Sequence, residues 1–110
     1  MDENKSHTAN LQKLKRDFCE DMQKYHTERI KRGYTAKQIE DSMKNNREFE
    51  TAIKYSGTDT TGFENLVKLG LLDFSIEALI LQPRYSPLFT EEKLESCKKL
   101  LEKYGHKTHL

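Results

Sequence analysis

The sequence predicts an all-α fold: a small single-domain bundle of about five helices, two of them long and amphipathic, around a short apolar hub helix. Three observations predict it. The 110 residues suit one domain. Apolar side chains recur at helical spacings of three and four along most of the chain. The only prolines are Pro83 and Pro87, so the first 82 residues carry no breaker of that kind. Charge agrees with this reading. Charged residues make up 34% of the chain, yet 19 basic residues nearly cancel 18 acidic ones. Mixed charge of this kind fits exposed helix faces, where opposite charges one turn apart attract. Disorder by composition would need a high net charge.

Residues 1–7 read as a flexible tail, residues 8–105 as the helical domain and residues 106–110 as a second tail. The first helix runs from about Thr8 to Arg32, with Leu11, Leu14, Phe18, Met22 and Tyr25 on one stripe. Arg29, Lys31 and Arg32 sit at its negative dipole end, and Gly33 supplies the C-cap. Thr35 and Gln38 have the spacing of a capping box for the second helix. Its stripe of Ile39, Met43, Phe49, Ala52 and Ile53 is interrupted at Asn45 and Asn46, which predicts a kink or short turn. Thr61 and Glu64 form a second capping box before a short helix through Phe63, Leu66, Val67 and Leu69.

Residues Gly70–Phe89, "GLLDFSIEALILQPRYSPLF", hold the most apolar stretch. Asp73 caps a short helix there with Ile76, Leu79 and Ile80 on one face and Glu77 at the rim. Glu, Ala and Leu favour helix, and no second strand exists to pair with this segment. Burying its six large side chains contributes on the order of 10 kcal/mol gross, at ~1.5–3 kcal/mol each. That is comparable with the net stability of a domain, so a core role accounts for the stretch. "PRYSPLF" reads as an extended connector. Thr90 caps the last helix, with Leu94, Cys97, Leu101 and Tyr104 in line and Gly105 closing it.

Several functions are excluded. The apolar window Leu69–Leu81 is shorter than the ~20 residues that span a bilayer and contains Asp73 and Glu77. The polar, acidic start lacks the character of a signal peptide. A cytoplasmic location follows, where Cys19 and Cys97, which form no CxxC pair, stay reduced and buried. No phosphate loop, GxSxG or HExxH is present, so no enzyme is expected and no cofactor, metal or small-molecule ligand. At this length a large internal cavity is hard to accommodate. His106 and His109 lack a third metal ligand. Cys19 and His26 lie two turns apart, too far for a nucleophile–base pair. Glu64, Asp73 and Glu77 flank the apolar stretch, but capping explains Glu64 and Asp73. Glu77 alone is left for an acid–base reading, as a carboxylate beside an apolar hub.

Binding is what remains. Surplus apolar stripe on the two long helices predicts burial against a partner protein or a second copy. Two surfaces qualify. The connector carries Arg84 and Tyr85, residue types common as binding anchors, on a backbone stiffened by two prolines; the competing reading folds Tyr85 back over the hub. The turn at Gly33 carries Arg29, Lys31, Arg32 and Lys37, a contact for phosphate or an acidic partner. A helix-turn-helix over residues 35–55 fits poorly, because Glu48 and Glu50 would face the DNA. The expected function is therefore regulatory or adaptor-type binding of a protein, without catalysis. The alternative is a nucleic-acid-binding regulator using the basic turn.

Overall fold

A computed structural model describes the backbone of residues 3–106 and the side chains of residues 10–106. Among these residues the fold is all-α. It comprises α1 (Glu3–Lys31), α2 (Lys37–Met43), α3 (Glu48–Tyr55), α4 (Thr61–Lys68), α5 (Ile76–Ile80) and α6 (Glu91–Lys103). Two 3-10 segments, Leu72–Phe74 and Pro83–Leu88, flank α5. No strand is present among the described residues.

The 29-residue α1 is the axle. No proline or glycine interrupts it, and Glu3 sits at the positive dipole end. Its backbone therefore continues through Glu3–His7, where a tail was expected; Met1 and Asp2 lie outside the described residues, as do residues 107–110. Phe18, Met22, His26 and Arg29 form its buried line, four, four and three residues apart. Against this line pack α3, α5 and both 3-10 segments.

The break at Asn45–Asn46 is a full turn. Both residues take the left-handed conformation, at φ 64° and 61°, which asparagine tolerates better than most side chains. The chain reverses there, α2 lies beside α3, and Ser42 Oγ meets Thr51 Oγ1 at 2.7 Å. Predicted caps hold at Thr90, whose Oγ1 accepts from Lys93 N at 3.1 Å. Elsewhere the caps shift. Thr60, not Thr61, caps α4 by accepting from Phe63 N. Ser75, not Asp73, caps α5 by accepting from Ala78 N. The residue before α2 is Ala36, with no side-chain cap, so the Thr35–Gln38 box does not form.

The hub is as apolar as predicted: Leu71, Ile76, Leu79 and Ile80 are buried, with Leu72 and Phe74 half-buried. Its polar member differs from expectation. Glu77 is 3% exposed rather than at the rim, because α5 is covered on all sides by α1, α3 and α6. The connector differs too. Pro83–Leu88 coils into a 3-10 segment that folds back over α1.

Among the described residues the apolar stripes of the long helices are largely covered within the fold. In α1, Phe18 and Met22 are buried, and Leu14 and Tyr25 pack against the core. In α6, Cys97, Leu100 and Leu101 are buried, and Leu94 and Tyr104 pack alongside. The exposed large apolar side chains among the described residues are Ile30, Ile53 and Leu69. No helix among the described residues is long and apolar enough to cross a membrane.

Candidate functional site

A cleft of about 540 Å³ opens where the C-terminal half of α1, the Tyr34–Ala36 link and helices α2 to α5 converge. Two glycines shape the approach. Gly33 turns the chain at φ 94°, and Tyr34 N then donates to Arg29 O at 3.0 Å, which tucks the tyrosine beneath the link. Gly62, in the first turn of α4, keeps the wall thin: a Cβ there would lie 3.3 Å from Tyr34 Oη.

The floor is polar and desolvated. Arg29 is 1% exposed. Its Nη1 donates to Phe74 O at 2.6 Å and its Nη2 to His26 Nδ1 at 3.3 Å. Its Nε has no hydrogen-bond partner. Glu77 lies nearby, and one carboxylate oxygen accepts from Gly57 N at 2.9 Å. Burial pushes the Glu77 carboxyl up, against the pull of the Gly57 N–H. Burial also lowers the pKa of Arg29, with Tyr34 and Glu77 opposing the shift. His26 falls below the ordinary imidazole value, first through burial and then through the Arg29 charge. With Nδ1 accepting from Arg29, the neutral ring carries its proton on Nε2, which has no hydrogen-bond partner and lies 4.0 Å from Glu40 Oε1.

Apolar walls come from Ile39, Tyr55, Phe63, Leu66 and Ile76. Lys37, Lys54, Thr35, Thr58 and Thr61 complete the lining with exposed side chains. Lys54 Nζ sits 5.3 Å from the centre of the Tyr55 ring. Tyr34 is 4% exposed, and its hydroxyl has no hydrogen-bond partner among the described residues. Three cations therefore meet one carboxyl that burial drives towards its neutral form. No histidine, cysteine, serine or aspartate lines the cleft among the described residues. The arrangement offers hydrogen-bond donors and an apolar surface.

The six residues singled out as partner contacts fall in different places. Tyr85 is fully buried. Its ring stands edge-on to Phe18 at 5.1 Å, and its hydroxyl donates to Asp21 Oδ2 at 2.5 Å. Arg84 lies over that ring at 4.3 Å and also bonds Asp21. As a surface anchor Tyr85 is thus corrected to a core residue. Arg29 is corrected in the same way: it lies on the buried line of α1 rather than in a surface cluster. Lys31 and Arg32 are exposed, and both pair with Glu28; Arg32 also covers the Phe74 ring at 4.5 Å. Of the basic turn, Arg29 lies in the floor of the cleft and Lys37 in its lining, while Lys31 and Arg32 stay outside it.

The sequence reading missed Tyr34, Lys54, Tyr55, Thr58 and Thr61. A signal for Arg29 did exist, because it continues the stripe of Phe18, Met22 and His26. Cys19 and Cys97 are both free thiols, and burial pushes the Cys97 thiol up to about 12. His106 lies 3.3 Å from Asp73, and His109 falls outside the described residues. Among the described residues no group of three or more His, Cys, Asp or Glu is placed to hold a metal ion.

The geometry defines a helical domain with an apolar, donor-lined cleft. No protein-family model, curated protein or solved structure matches the chain.

Proposed function

We propose that the protein is a non-catalytic binding protein whose partner is another protein, a segment of which enters the cleft between α2, α3, α4 and α5. The observation that carries this reading is the cleft's composition: apolar walls beside hydrogen-bond donors that the fold leaves unpartnered. Recognition sites combine such surfaces, a mostly apolar recess with a few polar groups that fix orientation. A regulatory or adaptor role in the cytoplasm, with both thiols reduced, belongs to the same reading. Self-association has less to draw on, because the exposed large apolar side chains are few.

The nucleic-acid alternative has weaker support. Of the four basic residues at the Gly33 turn, Arg29 is buried and Glu28 pairs with Lys31 and Arg32. Lys37 is left to meet a phosphate, whereas a nucleic-acid surface needs several cations in register.

The test is comparative capture from a nuclease-treated extract of the source cells. Thr58 is exposed at the cleft, so Thr58→Trp narrows it without entering the core. Lys99→Glu changes an exposed position of α6 outside the cleft. Proteins retained by the unaltered chain and by Lys99→Glu, but lost with Thr58→Trp, support the reading. Proteins retained equally by both variants would overturn it, and capture that disappears with nuclease would favour the nucleic-acid alternative.

A further inference from the structure

The first turn of α4 forms one wall of the cleft. Thr60 caps this helix, and its side chain and carbonyl take the N–H groups of Phe63 and Glu64. The N–H groups of Thr61 and Gly62 are left without an intrahelical partner, as the first turn of a helix requires. Gly62 has no side chain to cover them. Tyr34, which is more than nine-tenths buried, brings its hydroxyl, without a hydrogen-bond partner among the described residues, to 3.3 Å from the position a Gly62 Cβ would occupy. Lys37 and Lys54 add two further donors at the cleft.

We propose that this corner of the cleft is a carboxylate site, and that the ligand is a carboxylate joined to an apolar body that lies on Tyr55, Phe63 and Ile76. The proposal rests on the cleft being the binding site. A carboxylate only accepts hydrogen bonds. The corner offers helix N–H groups at a positive dipole end and a phenol hydroxyl, and two ammonium groups stand elsewhere in the cleft lining. Arg29 reinforces them without touching the ligand. Its guanidinium is almost wholly out of water, its Nε is unpaired, and its charge acts through a medium that screens it poorly. The only acid in the lining among the described residues, Glu77, has one carboxylate oxygen engaged by Gly57 N–H. The cleft's volume of about 540 Å³ accommodates a small apolar acid or the acidic end of a peptide segment.

The experiment titrates the full chain, labelled with ¹⁵N, with three probes: 4-phenylbutyrate, its neutral amide, and a blocked dipeptide amide of phenylalanine and glutamate. The expected result is that 4-phenylbutyrate shifts the backbone amides of Thr61, Gly62 and Tyr55 and binds at least about tenfold more tightly than the neutral amide. Tyr34→Phe and Lys54→Gln should each weaken the acid several-fold and the neutral amide by less, because a hydrogen bond to a charged acceptor is the stronger one. Both variants spare the core packing, and circular dichroism confirms the fold. Equal binding of acid and amide, or no shift of these residues by the acid at millimolar concentration, overturns the carboxylate site. If the dipeptide binds as the free acid does, the site takes an acidic protein segment. If the free acid binds and the dipeptide does not, the carboxylate site stands and the protein-partner reading falls. If Thr58→Trp abolishes capture although no probe binds, the cleft reading stands and this inference falls.

Discussion

The two ends of the α1 buried line are built on opposite principles. At Phe18 the neighbours are largely aromatic, and the buried Tyr85 hydroxyl beside it has a partner. Phe49, Tyr85 and Phe89 stand around its ring at 6.0, 5.1 and 5.2 Å, and the one buried hydroxyl, that of Tyr85, reaches Asp21. Two turns and more along the same helix, His26 and Arg29 occupy equivalent positions and leave donors unpaired beside an open cleft. The first end follows the rules for a stable core, and the second departs from them. A fold keeps its local inconsistencies where something other than stability is selected. On the proposed reading of the cleft, the Phe18 end is the scaffold and the Arg29 end the working surface.

The strongest way to break the contrast is Phe18→Ala. The side chain is fully buried with aromatic rings on three sides, so truncation should cost about 3–5 kcal/mol, a large part of a domain's stability. Urea unfolding measures it, and ligand titration of the fraction still folded should show unchanged affinity. A loss below about 1.5 kcal/mol would mean the aromatic end is not closely packed.

Arg29→Met probes the other end. It removes the donors to Phe74 O and His26 Nδ1, which costs about 1–3 kcal/mol for acceptors left buried and unpaired. It also removes a desolvated charge, which offsets part of that loss. The net loss should be about 1 kcal/mol, well below that of Phe18→Ala, and 4-phenylbutyrate binding should weaken several-fold. A loss as large as that of Phe18→Ala would make Arg29 scaffold and erase the distinction between the two ends.

Much of the scaffold was legible because local rules decide it. The spacing of Phe18, Met22, Leu101 and Cys97 marks helix faces whatever packs on them. Asn45–Asn46 marks a reversal because few other side chains tolerate left-handed backbone in succession. The working surface was not legible in this way. Arg29 has the composition of a helix end, and its burial is decided by Phe74 O, which lies 45 residues away in sequence. Glu77 was placed at a rim by the preference of carboxylates for water. The shortness of α5 overrides that preference, because a five-residue helix covered on all sides has no rim. The cleft itself is assembled from α1 to α5, and no single segment's periodicity contains it.

A smaller effect separates Tyr85 from Arg84, which the sequence joined as one contact surface. Tyr85→Phe keeps the ring on Phe18 and removes the hydroxyl that Asp21 accepts. A hydrogen bond to a charged group contributes about 1.5–3 kcal/mol; with Arg84 still on Asp21, a loss near the lower figure is expected in urea unfolding. Arg84→Ala removes a half-exposed ion pair worth about 1 kcal/mol or less. A larger loss from Arg84→Ala than from Tyr85→Phe would reverse this picture and return the connector to the surface.

The smallest effect lies in pH, and it reads two buried titratable groups of the Arg29 end, His26 and Glu77. The ordinary imidazole value is 6.5, and the folded value of His26 lies below it. Below pH 6.5 the unfolded chain therefore takes up a proton that the folded chain does not, and stability is lost as pH falls. Glu77 acts in the opposite sense. Its folded value lies above the ordinary 4.5, so just above pH 4.5 the folded chain keeps a proton that the unfolded chain releases. Stability from this group is present at low pH and is lost as pH rises through the folded value. The groups facing His26 are Arg29 and Glu40, and those facing Glu77 are Arg29, Lys93, Tyr34, Cys97 and the Gly57 N–H. Each group changes the slope by at most about 1.4 kcal/mol per pH unit. Unfolding free energies between pH 4.5 and 6.5 should thus rise more steeply with pH in Glu77→Gln than in His26→Gln. The surface carboxylates are common to both variants and cancel in the difference. Parallel profiles would show that both groups titrate alike in the folded and unfolded chain, and the working end would then be as open to water as any surface helix.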